Sequence, residues 1–214
     1  MLRAAFIAFL LSSAAFAGEN GRALSRADLA VLDFAPGGIK TLGDVTRKLG
    51  QAASWHTGDA SESENKVCYV LASEPAPMYL VFGSSGEMAS PKGQVNTIKL
   101  LSSLGAGASN PPCARLTYSG ALTVANGLRL GMAQDRVQKL LGAGSLGANG
   151  GLEYSTCRQV PFAKGSSGYK TWLGNTGCFR NPTKPHYDDC LSIKVEFTAG
   201  KTSTIQVAGN QSVC

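Results

Sequence analysis

The segment Gly127-Leu-Arg-Leu-Gly-Met-Ala-Gln-Asp-Arg-Val-Gln-Lys-Leu-Leu-Gly142 has a weaker copy earlier in the chain, at residues 38–50. A shift of 92 positions lays Val45 on Val137, Leu49 on Leu141 and Gly50 on Gly142. Recurrence at a fixed spacing marks tandem units. In the second copy Ala133, Val137, Leu140 and Leu141 fall at i, i+4, i+7 and i+8, which makes one apolar stripe of a short helix. Gly142 suits the left-handed position that follows such a helix. Leu42, Val45 and Leu49 repeat the stripe with Thr41 as N-cap, whereas Ala133 offers no side-chain oxygen at the second start. Helices this short hold only when packed on something else.

Around the helices the pattern turns to strands. Residues 66–72 are rich in β-formers, 78–82 run to a turn at Gly83-Ser-Ser-Gly86, and 95–101 return. In the second half residues 116–123 precede the helix, Asn149-Gly-Gly151 turns into 152–157, and 191–197 with 202–208 form a hairpin about Ala199-Gly200. The polar, acidic residues 57–65 read as a loop outside the core. Ser25-Arg-Ala-Asp28 reads as a capping-box variant opening a short helix through Leu29, Val31, Leu32 and Phe34. The expected fold class is α+β: two tandem repeats, each with short helices packed on an antiparallel β-sheet, stapled by disulfides. Repeat 1 takes residues 18–104, a Gly, Ser, Asn and Pro linker takes 105–113, and repeat 2 takes 114–214. Phe82 and Phe197 match at an offset of 115 instead of 92, which assigns repeat 2 an insertion near 158–190.

Residues 1–17 carry one charge, Arg3, then an apolar run at 4–11 and Ala15-Phe16-Ala17, the layout of a signal peptide. The apolar run is too short to span a bilayer, and no cysteine follows it to accept a lipid. The expected product is a soluble, exported chain in the periplasm or outside the cell. The formal charge of +6 becomes +5 without Arg3, which favours acidic partners. The basic residues are dispersed, with no nucleic-acid-binding signature.

All six cysteines follow the signal segment, as three disulfides in an exported protein require. The repeat alignment singles out Cys68 with Cys113, Cys157 with Cys214, and Cys178 with Cys190, each worth about 3–4 kcal/mol by loop entropy. There is no Cys-x-x-Cys, and His56 and His186 are isolated, so neither a metal nor another cofactor is expected.

The pattern Gly-Leu-Arg-Leu-Gly-Met followed by Val-x-x-Leu-Leu-Gly at 127–142 resembles the helix signature of the BamE (SmpA/OmlA) outer-membrane-assembly lipoproteins and of the beta-lactamase inhibitory proteins. The tandem copy points to the second group. The resemblance implies paired repeats of helices on an antiparallel sheet, in secreted or envelope proteins that bind other proteins and catalyse nothing. The chain lacks the lipid-bearing cysteine of BamE proteins, and no binding residue is carried over.

Gly142-Ala-Gly-Ser-Leu-Gly147 matches a dinucleotide-binding spacing but follows a helix, where the chemistry needs it to follow a strand and open a helix. The serines of 83–86 and 165–168 lack nucleophile-elbow spacing. Asp188-Asp189 beside His186 reads as an exposed charged turn. The expected function is an exported protein-binding module: an inhibitor, immunity factor or envelope adaptor. A cell-wall or anionic-surface binder is the alternative, motivated by the net charge and by Lys164, Lys170, Arg180 and Lys184; an unrecognised enzyme comes third. The expected contacts are Tyr169, Trp172, Phe179 and Tyr187 with Lys170 and Arg180, because Trp, Tyr and Arg dominate interface energetics. The same aromatics suit a satellite core under a glycine-rich loop. The partner is expected to be acidic, which disfavours a strongly basic hydrolase.

Overall fold

The computed structural model describes residues 24–59, 63–72, 76–85, 93–104, 113–118, 120, 122–147, 149–165 and 186–212. Residues 1–17, expected from sequence to be a signal segment, lie outside this set. Strands β1 (Ser54–Thr57), β2 (Glu64–Leu71), β3 (Met78–Ser85) and β4 (Thr97–Leu101) come from the first half of the chain. Strands β5 (Ala114–Arg115), β6 (Ser145–Leu146), β7 (Leu152–Pro161), β8 (His186–Thr198) and β9 (Lys201–Ser212) come from the second. All nine join one sheet in the order β1-β2-β3-β4-β9-β8-β7-β6, with β5 running parallel to the end of β2.

Alternation along the strands decides which face is covered. Val67 opposes Phe82 and Tyr69 opposes Leu80, all buried. The same face continues through Ile98, Leu100, Ile205, Val207, Ile193 and Val195. On it pack Leu29, Val31 and Phe34, then Leu42 and Val45 of helix α1 (Leu42–Leu49), and Leu128 and Val137 from helix α2 (Gln134–Leu141) and its approach. Each such side chain contributes about 1.5–3 kcal/mol by leaving water.

The two helices lie 92 positions apart, as the repeat requires. Thr41 caps α1 in a reciprocal box with Asp44, and the hydrogen bonds from Thr41 hold the Asp44 carboxyl below its usual range. Ala133 leaves α2 without a side-chain cap. Gly50 (φ 98°, ψ 161°) and Gly142 (φ 95°, ψ −173°) end the helices in an extended positive-φ conformation that only glycine takes freely, not in the left-handed helical one. Each carbonyl accepts a hydrogen bond from a strand tyrosine, Tyr69 at 2.7 Å and Tyr154 at 3.0 Å. In α2, Val137 is buried and Leu141 packs on the core, but Ala133 and Leu140 are exposed.

The expected α+β pair of repeats is overturned by the sheet itself. Among the described residues the helices are two eight-residue segments, and the strands of both halves form a single antiparallel surface in place of two separate helix-covered sheets. The joint is β4 against β9, from Thr97 opposite Ala208 to Leu101 opposite Thr204. Each of these strands would otherwise be an edge with unpaired backbone groups, and pairing them satisfies both.

Local expectations shift as well. Residues 29–34 are not a helix: after a 3-10 turn at Ala27–Leu29, Val31 pairs with Phe34 around Leu32 (φ 51°) and Asp33 (φ 68°). The Ser25 and Asp28 box does form, with Ser25 N 3.1 Å and Ser25 Oγ 2.6 Å from Asp28 Oδ2. Gly83 and Ser84 continue β3 instead of turning, and Asn96 clasps Ser85 through Nδ2 and Oδ1. The loop expected at 57–65 ends in buried Ser63 and Asn65. Of residues 116–123, none of those described lies in a strand.

The disulfides are Cys68 with Cys113, as expected, and Cys157 with Cys190. The second replaces the expected pairings of Cys157 with Cys214 and of Cys178 with Cys190. The reason is register: β7 and β8 set Cys157 directly opposite Cys190, with Cα atoms 4.1 Å apart. It is this bridge that closes the excursion between β7 and β8. Cys178 and Cys214 lie outside the described residues.

Candidate functional site

The sheet face turned away from the helices carries the other half of every alternation. One row across the strands runs Trp55, Lys66, Gly83, Thr97, Ala208, Ser192 and Ser155, each opposite the next. From Gly83 to Ser155 these are small side chains spanning five strands, about 19 Å at the usual strand spacing, with the Glu64 carboxylate lying over Gly83. The adjacent row is Cys68, Val81, Lys99, Gln206, Lys194 and Glu153, and the next includes Val70, Tyr79, Leu101, Thr204 and Glu196. Most charges here are held in pairs: Lys66 Nζ sits 2.7 Å from Glu64, and Lys194 Nζ 3.2 Å from Glu153. Lys99, mid-face, has no ion-pair partner among the described residues.

Beside α2 a cavity of about 340 Å³ opens between Met78 at the start of β3 and the segment leading into the helix. Leu122, Leu130 and Met132 give it apolar walls, and Arg129 and Arg136 line it as cations. The buried Thr202 hydroxyl fixes this segment, accepting from Met132 N at 2.9 Å and donating to the Arg129 carbonyl at 2.9 Å. Thr202 also bonds through its backbone to Met132 and Gly131.

The residues proposed from sequence as contacts are mostly elsewhere. Tyr169, Lys170, Trp172, Phe179 and Arg180 lie outside the described residues. Tyr187 is half-buried on β8 opposite Val160, its ring 5.2 Å from that of Phe162. Asp188 and Asp189 are not in a turn but in β8. Asp189 is buried and ion-paired to Arg26 and Arg158, so its carboxylate serves two guanidiniums already. His186 Nε2 lies 4.0 Å from Asp188, and His56 Nδ1 is 3.3 Å from Asn65. Gly147 and Gly151 share a hydrogen-bonded turn after β6, with no helix opening there.

Sequence reading passed over Lys99, Arg129 and Arg136. The two arginines stand seven positions apart within the segment quoted at the outset, with Asp135 the one carboxylate between them. Asp135 faces Lys139, 4.0 Å away. Their charges are visible in the sequence beside the apolar stripe of the same segment.

The two disulfides among the described residues are compatible with an extracellular or periplasmic protein. No helix among the described residues is long and apolar enough to cross a membrane. Compared with family models, curated proteins and solved structures, the chain finds no match in any of the three.

Proposed function

We propose that the chain is a periplasmic or secreted protein-binding module, an inhibitor, immunity factor or envelope adaptor, that acts without catalysis through the open face of its sheet. The observation that carries this reading is the β4–β9 joint, which merges strands from both halves into one continuous face. That face mixes partly exposed Trp55, Tyr79 and Leu101 with ion pairs and an unpaired Lys99, a mixture of aromatic, aliphatic and charged groups of the kind protein interfaces carry. The resemblance of residues 127–142 to inhibitory and envelope-assembly proteins supports the same class.

The test is capture of a stoichiometric protein from envelope extract by the mature chain, repeated with Lys99→Glu and Thr97→Arg. The reading expects at least a roughly tenfold loss of capture with an unchanged melting temperature. Capture unaffected by both substitutions overturns the sheet face as the contact. The unpaired cations Lys99, Arg129 and Arg136 favour a second reading, binding to an anionic cell-wall polymer. Sedimentation with peptidoglycan, without a protein partner, supports that one.

A further inference from the structure

The two guanidiniums of the α2 cavity have no counter-charge in the described fold. Other described cations divide: Arg26 and Arg158 meet Asp189, Arg47 meets Asp44, Lys48 meets Asp33, Lys66 meets Glu64 and Lys194 meets Glu153, while Lys40, Lys99, Arg115, Lys164 and Lys201 have no ion pair among the described residues. Arg129 and Arg136 share no ion pair among the described residues, yet they line one cavity. Between them the walls are apolar, with Leu122 and Met132 buried and Met78 and Leu130 partly so. Methionine walls adapt to the shape of what enters. The backbone that carries Arg129 is held in advance by Thr202, which lowers the ordering cost of an incoming group.

We infer that this cavity is a docking subsite for an acidic peptide segment of the partner protein, which inserts an aliphatic side chain against the methionines and gives a neighbouring carboxylate to Arg129 and Arg136. This rests on the protein-binding reading above and adds to the open face a second contact on the helix side of the sheet, since Met78 alternates with Leu80 and Phe82. The occupant is fixed by complementarity: planar guanidiniums match a carboxylate, and the apolar walls match a side chain that a bare phosphate lacks. A volume of about 340 Å³ is at the small end for ligand sites, which suits an anchor of one or two side chains. The net charge of the chain draws the same class of partner.

The experiment titrates isotope-labelled mature protein with acetyl-Leu-Glu-amide and reads the methyl signals of Met78 and Met132 and the Nε–H signals of Arg129 and Arg136. All four should shift together and saturate. The acetyl-Leu-Gln-amide analogue should bind about fivefold more weakly or worse, because it lacks the charge. The Arg129→Ala, Arg136→Ala double variant should lose roughly tenfold while melting as the wild type does, since both side chains are exposed. Equal binding of the neutral analogue, or undiminished binding by the variant, overturns the subsite. So does reproduction of the shifts by inorganic phosphate, or arginine-dependent sedimentation with phosphatidylglycerol vesicles, which assign the site to a simple anion or a lipid surface. A partner captured equally well by the double variant sinks the subsite and leaves the protein-binding reading standing. Peptide binding without any recoverable partner supports the subsite and counts against that reading.

Discussion

The buried carboxylate of Asp189 in β8 holds the guanidinium of Arg26, a residue 163 positions earlier in the chain. Arg26 also donates to the Pro36 carbonyl at 2.6 Å. Its path exists because Gly37 (φ +65°) and Gly209 lack side chains: a Cβ on either would crowd Arg26 Nη1. Arg158 approaches the other carboxylate oxygen from β7, at 3.0 Å and 3.1 Å. One buried acid therefore ties the first described segment to an interior strand of the sheet.

Asp189→Ala strands Arg26, whose side chain is 21% exposed, and should destabilise by about 3–5 kcal/mol. Arg158 is 69% exposed, so Arg158→Ala should cost less than about 1 kcal/mol. Urea unfolding of the two variants checks the order. Equal costs would mean that the pair seen with Arg26 does not govern the site.

Non-reducing peptide mapping should find Cys68 joined to Cys113 and Cys157 to Cys190. Replacing either pair by serines should cost about 3–4 kcal/mol on the loop-entropy scale, given separations of 45 and 33 residues. With those four cysteines taken, a monomer whose intact mass shows no free thiol has Cys178 joined to Cys214. Recovery of a Cys157–Cys214 peptide would contradict the β7–β8 register.

Burial pushes the Tyr69 hydroxyl up to about 12 from its ordinary 10.0. A group whose folded value is raised contributes stability that is complete below the unfolded value and lost as pH rises through the folded one. The Tyr69 contribution should therefore hold to about pH 10 and fade towards about pH 12. Urea midpoints across that range should fall more steeply for the wild type than for Tyr69→Phe. Parallel curves would remove Tyr69 as the cause. Burial raises Tyr154 in the same direction.

Thr202→Val keeps the shape of the side chain and removes the hydroxyl. Met132 N and the Arg129 carbonyl then lose their partner, at a cost of about 1–3 kcal/mol. The variant should also bind the Leu-Glu probe more weakly, because Arg129 is no longer held in place. Wild-type stability in thermal melts would show that water replaces the hydroxyl without loss.

Legibility in the sequence followed the range of the interaction. The α1 and α2 helices, the Thr41 cap, the Ser25 and Asp28 box and the β8–β9 turn at Ala199 (φ 50°) and Gly200 (φ 72°) are set by residues within a few positions of one another. Strand β1 was missed because Ser54-Trp-His-Thr57 is short and mixed in polarity, and its order comes from pairing with β2. Gly83-Ser-Ser-Gly86 has turn composition, but the neighbours on both sides of β3 keep its first three residues extended. The single sheet had no local signal, since Thr97 meets Ala208 across 111 positions. The Cys157–Cys190 bridge and the Asp189 pair depend on the same long-range registers. At the candidate site, Arg129 and Arg136 were visible as charges, but their shared cavity exists only once Met78 is brought against α2.

The β9 strand is the last of the nine in sequence and lies in the interior of the sheet, between β4 and β8. A ribosome delivers it after every strand it must join. Until residues 201–212 have emerged, β4 ends the first half with Ile98 and Leu100 beside an open edge, and β8 lacks its longest neighbour. The sheet therefore cannot close until the last strand has been made. The same order makes premature termination hazardous: a product ending before Lys201 carries two unpaired strand edges with apolar neighbours, the template for aggregation.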